Sequence, residues 1–591
     1  MPIRSFAFAR VSLVALLLAG SSIAFADPPA DLKEAMTRCA DTSNTYTLEA
    51  QLAGCQAAIS SGSVSGNDLA DMYTDRGVVQ HQLRDVPSAI ASLNEAIRLN
   101  PDLAIAFYDR GLAYDDAGDE QRAIADYDQA IRLKPDYEKA FVHRGYAYEA
   151  QGDHQRAIAD YDAAIRLDAR DASAFLGKGK AEFESRDYNS AYFDLTHSLD
   201  IDVKNADVWN ERGRADVALK DYKEAKFSFE QAMQLDPSDP VYISNRGVAN
   251  DRLGDSRQAI ADYSEALRIK PDLADALDHR ADAYNRQGDY EQAIADYGKL
   301  IGLQPSAAAY VGRGFAYNRL HGHDRATADL TKAAELDPKD PEALFERGDA
   351  YVDSENYDAA AADYQAALKL DPKSASALNG LGRLKLHSRD FEAARAYFDQ
   401  AIEIEATEPA YFSNRALAYR GLKDTGHALA DYKTALQLKP DYVSALRGRG
   451  FVYVDLSRYA DALADFEQAI RIKPDDASAL NSACWTRAAF LDAEFDRAVS
   501  ECDKAVQLAP DNADHHGSRA MIAMKQKRYE DAWTDYNVAV NLDPKSAGHW
   551  YGRAMAELKL GRAADAKADL DRAKALDPKI ADTYATYGVK P

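Results

Sequence analysis

An arginine followed by a small residue returns at a fixed interval along this 591-residue chain. Arg76-Gly77, Arg110-Gly111, Arg144-Gly145, Lys178-Gly179 and Arg212-Gly213 open the series. It continues through Arg246-Gly247, Arg280-Ala281, Arg313-Gly314, Arg347-Gly348, Leu381-Gly382, Arg415-Ala416, Arg449-Gly450, Arg487-Ala488, Arg519-Ala520 and Arg553-Ala554, fifteen units in all. Steps are 34 residues, except 33 from Arg280 to Arg313, 38 from Arg449 to Arg487 and 32 from Arg487 to Arg519. A period this short overrides the expectation of several globular domains. It requires a stack of equal modules, each burying its apolar face on its neighbours.

One module, Ala104 to Tyr137, reads AIAFYDRGLAYDDAGDEQRAIADYDQAIRLKPDY. Phe107, Leu112 and Ala113 give one apolar helical face, and Ala123, Ile124, Tyr127, Ala130 and Ile131 give a second. Gly118 suits the left-handed turn between them, Asp119 can cap the helix that follows, and Pro135 stops it. Gly111 with Ala123 and Ala130 opposite lets the two backbones approach closely. With Gly111, Tyr114, Ala123, Tyr127, Ala130 and Pro135 at these offsets, the module resembles the tetratricopeptide repeat (TPR). The resemblance implies an all-α fold: a right-handed α-solenoid, or superhelix, of stacked helix-turn-helix hairpins.

Arg110 departs from the family, which usually places Leu there. Sixteen residues further on stands an acid: Arg110 with Asp126, Arg144 with Asp160, Arg246 with Asp262, Arg280 with Asp296, and so on to Arg553 with Asp569. Where Leu381 replaces the arginine, Tyr397 replaces the acid, so both charges vanish together. Arg76 and Arg212 face Ser92 and Ser228 instead. The two side chains are expected to meet, within a hairpin or between adjacent ones, as a ladder that fixes register.

The ends differ from the repeats. Residues 1–26 carry Arg4 and Arg10, an apolar run from Val11 to Ala19 and an Ala24-Phe25-Ala26 cleavage signal, the pattern of a secretory signal peptide cut near Ala26. The run falls short of the roughly 20 residues a membrane span needs, so no membrane insertion of the mature chain is expected. Lacking a cysteine at the cut, the mature chain is expected to be soluble and exported, periplasmic or secreted. Residues 27–67 form a degenerate first repeat, residues 70–580 hold the fifteen tandem units, and residues 581–591 align with the opening of a further first helix that caps the array. Cys39 and Cys55 fall one on each helix of the first hairpin, and Cys484 and Cys502 do the same in the irregular unit 477–512. Bonded pairs suit an oxidising compartment, and separately buried thiols are the alternative.

Lys and Arg number 71 against 96 Asp and Glu, a net charge of −25. Nucleic acid is therefore not an expected partner, and a basic protein is compatible. No phosphate loop, H-E-x-x-H, G-x-S-x-G or C-x-x-C is present. Neither the histidines at 321, 323, 515, 516 and 549 nor the acids at Asp115 complete a recognisable ligand spacing. The chain is read as a non-enzyme without cofactor or metal.

The resemblance implies that first helices line a concave face where partner proteins or peptides lie. On this chain that face would carry Tyr108, Leu112, Asp115 and Asp116; Val142, Tyr146 and Glu149; then Asp251, Arg252, Asn285, Arg286, Asn318 and Arg319. Aromatics interleaved with charge suit protein recognition. The Lys and Asn pair with which some relatives hold a chaperone's terminal carboxylate has no match, since the corresponding pairs read Tyr108/Leu112, Val142/Tyr146, Asn210/Arg214, Ser244/Val248 and Asn379/Arg383. The expected function is a periplasmic protein-binding scaffold; the alternative is a factor assisting assembly or export of envelope polysaccharide or protein.

Overall fold

The computed structural model describes residues 30–589, apart from residues 42, 44, 492 and 493. The stretch over residues 1–26 expected to be a leader, the cleavage expected near Ala26, and residues 590 and 591 lie outside the described residues.

Among the described residues every regular element is a helix, and the helices alternate as first and second members of hairpins. The module Ala104 to Tyr137 forms the helices Ala104–Asp116 and Glu120–Leu133. Gly118 makes the turn at φ +73°, and Asp119 accepts from the Arg122 backbone N–H to cap the second helix. Asp85, Asp153, Asp187 and Asp255 repeat that cap. A Cβ on Gly111 would lie 2.6 Å from the Tyr127 ring, so the aromatic of the second helix fills the space the glycine leaves.

The chain divides into two units, Met1–Asp289 and Tyr290–Pro591. Within each unit, every first helix packs on the second helix preceding it. Nearly all successive first helices also touch, whereas successive second helices make no comparable approach among the described residues. Each unit is therefore curved, with its first helices on the inner side.

The N-terminal hairpin, Ala30–Cys39 and Leu48–Ser60, is joined by a Cys39–Cys55 disulfide. The next hairpin begins with Gly66–Gln82. In the irregular unit, Cys484 and Cys502 are also bonded. That bond corrects the alignment read from sequence. Cys484 comes 34 residues after Gly450 and takes the small-residue position facing the second helix, while Arg487-Ala488 lies beyond it. Extra residues are taken up by a π-helical turn, Arg487–Leu491, at the end of Ala477–Thr486.

The C-terminal stretch needs a second correction. A helix forms at Ile580–Thr586, but it rests on the first helix Ala547–Lys559 and not on the second helix Ala563–Leu576. Ile124 and Ile131 pack against the hairpin that follows them, but Lys567 and Lys574 stand at those positions in the last hairpin. A further first helix has no apolar seat there.

Candidate binding face of the first helices

The arginine ladder sets the spacing of this face. Arg110 donates from Nε and Nη2 to the two oxygens of Asp126 at 2.7 and 2.6 Å. The same fork joins Arg144 to Asp160, Arg246 to Asp262, Arg347 to Asp363, Arg415 to Asp431, Arg449 to Asp465 and Arg553 to Asp569. The pairs lie within hairpins. Arg76 and Arg212 donate to Ser92 and Ser228, and Leu381 and Tyr397 pack in one apolar cluster. Arg280 belongs to the first unit and Asp296 to the second.

A third contact ties the ladder to the neighbouring hairpin. Nη1 of these arginines reaches back to the preceding second helix: Arg110 to Asn94 at 2.7 Å, Arg347 to Thr331 at 3.1 Å, Arg415 to Asp399 at 2.7 Å and Arg553 to Asn537 at 2.7 Å. Polar residues sixteen positions before each arginine were the available signal. With all three prongs engaged inside the chain, Arg110, Arg144, Arg347, Arg415, Arg519 and Arg553 are structural and keep no free edge for an anion.

The residues proposed for the concave face divide into three groups. Tyr108, Val142 and Asn318 are buried, which corrects their assignment as a free surface. The Tyr108 ring lies 4.9 Å from Tyr137 and 5.6 Å from His143, and Asn318 donates to the Glu346 backbone carbonyl at 3.0 Å. Close approach of neighbouring first helices covers all three. A second group ties hairpins together at the helix tips: Asp116 accepts from His81 and Arg84, and Asp251 from Arg286 at 2.5 Å. Leu112, Asp115, Tyr146, Glu149 and Asn285 are half-buried, and Arg252 and Arg319 are exposed.

The half-buried carboxylates have unusual protonation. Burial pushes Asp115 up to about 6 and Glu149 up to about 7. Burial, with the Asp171 carboxylate beside it, pushes Glu138 up to about 8. In the second unit, burial together with Asp349 and Glu342 does the same to Glu346, also to about 8. Glu149 lines an open cleft of about 410 Å³ together with Lys180, Glu184, Glu211, Arg214 and His154. Arg214 spans part of this cleft, 2.6 Å from Glu211 and 3.6 Å from Glu184. Lys180 and Arg214 occupy the position just after the landmark glycine, the same as Leu112 and Tyr146, so the repeat register could have located them.

The histidines are held by ordinary partners. His515 and His516 are buried and meet the carbonyls of Ala505 and Pro510, and His549 Nε2 lies 3.5 Å from Asp514. His321, His323 and Asp353 each place one ligand atom within 4.8 Å of the others, a donor set that a divalent zinc-like ion accepts. Arg84 and Asp116, at the same repeat positions as His321 and Asp353, make a plain ion pair. The repeat register itself therefore brings positions 321 and 353 together.

Models of the tetratricopeptide repeat match residues 74–138, 143–194, 206–239, 244–308, 279–341, 345–409, 415–481 and 487–547, well over half the chain. The chain belongs to the tetratricopeptide repeat family. TPR proteins are protein-interaction scaffolds, and TPR domains bind proteins or peptides. Similar solved structures include the APC/C hetero-tetramer Cut9-Hcn1, at 13% identity and TM-score 0.43, with 87% of this chain and 98% of that one covered. YrrB, described as a TPR protein with an unusual peptide-binding site, is 20% identical at TM-score 0.29, over 31% of this chain and 95% of that one. MamA is 20% identical at TM-score 0.26, over 27% and 94%. No curated protein matches this TPR chain. Among its described residues no helix is long and apolar enough to cross a membrane.

Proposed function

We propose that this chain is a non-enzymatic scaffold of an exported, oxidising compartment, the bacterial periplasm, and that it holds a basic segment of a partner protein along its first helices. The observation that carries the partner's charge is the set of half-buried carboxylates, Asp115, Glu138 and Glu149, raised by burial. The positive charge of a lysine or arginine brought against such a carboxyl group lowers its pKa, so that the proton is released to solvent and the cation gains a charge-assisted hydrogen bond in a partly desolvated site. Export is supported by the signal-peptide pattern of residues 1–26 and by two disulfides, each closing a single hairpin.

Titration with a lysine-rich peptide tests the charge assignment. Cation binding requires the ionised carboxylate, so affinity should fall as pH drops from 8 to 6, through the value of about 7 for Glu149. Glu149→Gln combined with Glu184→Gln should weaken binding about tenfold, equivalent to about 1.4 kcal/mol. A photo-crosslinker at Leu112 or Tyr146 should capture a partner protein, and one on the outer side at Arg132 should not. Equal capture from both positions would remove the inner-face assignment.

A further inference from the structure

The segment Ile580–Val589 behaves as a ligand of its own chain. Lys579, at φ −100° and ψ 4°, turns the chain away from the path that Ser546, at φ −80° and ψ 110°, sets for the preceding first helix. The segment then crosses the inner side of the last three hairpins. Tyr584 donates its hydroxyl to the Gly548 carbonyl at 2.7 Å, and its ring lies 4.8 Å from Tyr551. The Tyr587 ring meets Trp485 at 5.2 Å and Phe490 at 5.5 Å, two hairpins back in the sequence. Gly588 turns at φ +73°, the Val589 N–H donates to the Tyr584 carbonyl at 3.1 Å, and Val589 is buried.

The floor beneath the segment is built for it. At the position after the landmark small residue the last three hairpins carry an unbroken apolar run, Trp485, Met521 and Met555, two of them methionine, where the earlier hairpins mix Leu112, Tyr146 and Val248 with Lys180, Arg214 and Asp349. Aromatic and methionine side chains form the adaptable apolar surfaces used for peptide recognition. The π-helical turn supplies Phe490, whose ring stacks on Tyr459 at 4.3 Å. Met521, Ile522, Met524 and Met555 are buried in one apolar cluster with Ile580, Tyr584 and Val589, and Trp485 and Tyr587 pack against it.

We propose that the inner face of the last three hairpins is a binding site for a peptide with two aromatic residues three apart, followed by glycine and an aliphatic residue. Tyr584, Tyr587, Gly588 and Val589 fill it in cis, and a partner segment of that pattern takes the site by displacing them. The inference rests on the inner face being the binding face and not on the charge of the cleft near Glu149. A tethered segment competes at an effective concentration of roughly millimolar, so free peptide meets a largely closed site in the unaltered chain.

The test uses the full chain and a fluorescein-labelled synthetic peptide of residues 577–589, read by fluorescence anisotropy. Tyr584→Ala combined with Tyr587→Ala should bind the peptide at least tenfold tighter than the unaltered chain, and adding Trp485→Ala should abolish that gain. Because Tyr584 is buried, Tyr587→Ser alone serves as a milder variant that removes only the half-exposed ring; it should give a smaller gain with an unchanged melting profile. Absence of saturable binding to folded Tyr587→Ser, or equal binding by variant and unaltered chain, overturns the proposal. Crosslinking at Tyr146 in the first unit is indifferent to either result, so the broader reading of the inner face stands or falls separately.

Discussion

Arg144 and Asp160 show how a single unusual residue becomes part of the architecture. Their side chains are 17% and 8% exposed, and the arginine also reaches Asp128 at 2.5 Å. Removing one partner leaves a charge in a largely desolvated place, whereas removing both can be nearly neutral when the replacements pack. Asp160→Ala should therefore cost about 3 kcal/mol in urea denaturation. Arg144→Leu with Asp160→Tyr copies the pairing at Leu381 and Tyr397 and should recover at least half of that loss. Equal losses would show the pair to be uncoupled. Glu346 sets a different dependence. Its folded value of about 8 lies above the ordinary 4.5, so the folded state holds the proton more tightly than the unfolded chain. Stability should fall as pH rises from about 4.5 to 8 and level off above that. Glu346→Gln should flatten the slope, by about 2–4 kcal/mol across the window; an unchanged slope would assign the dependence elsewhere.

Among the elements, the hairpin that contains Ala477–Thr486 departs furthest from its siblings. Its first helix ends in a π-helical turn, and the Arg487 side chain there is fully buried, facing Glu467, Glu494 and Glu501. The Cys484–Cys502 bond holds this widened hairpin together across a sequence separation of 18, a loop whose closure contributes about 3 kcal/mol in the chain-entropy model. Cys484→Ala with Cys502→Ala should therefore lower stability by about 2–4 kcal/mol. The accompanying rise in hydrogen exchange should centre on residues 477–508. A larger effect at the Cys39–Cys55 hairpin than at this one would contradict the assignment. The sequence marked this unit as irregular and paired its cysteines. It misplaced the landmark because Arg487-Ala488 mimics the repeat while Cys484 occupies the position itself.

At the scale of the whole molecule, no hairpin buries its faces alone, so stability is nearly a sum of neighbouring interfaces and local defects should stay local. Gly247→Leu forces a side chain into the Tyr263 ring, 2.7 Å from the position its Cβ would take. Hydrogen-exchange protection should drop in the hairpin Pro240–Arg252 and Ser256–Ile269 and in the helices beside it, and hold across residues 409–576. Uniform loss along the chain would mean that the units unfold as one. The sequence by itself determined the module, its spacing outside the unit 477–512, the turn and cap residues, the small-to-aromatic contact and the arginine ladder. All of these are local or recur at one fixed offset, so periodicity exposes them. Only the tertiary structure decided which first-helix residues remain open, because burial of Tyr108, Val142 and Asn318 depends on how closely successive hairpins approach. It alone decided where the stretch after Lys579 goes. The alignment extends the stack, but Lys567 and Lys574 along the last second helix deny it a seat, and an aromatic floor reaching back to Trp485 provides one.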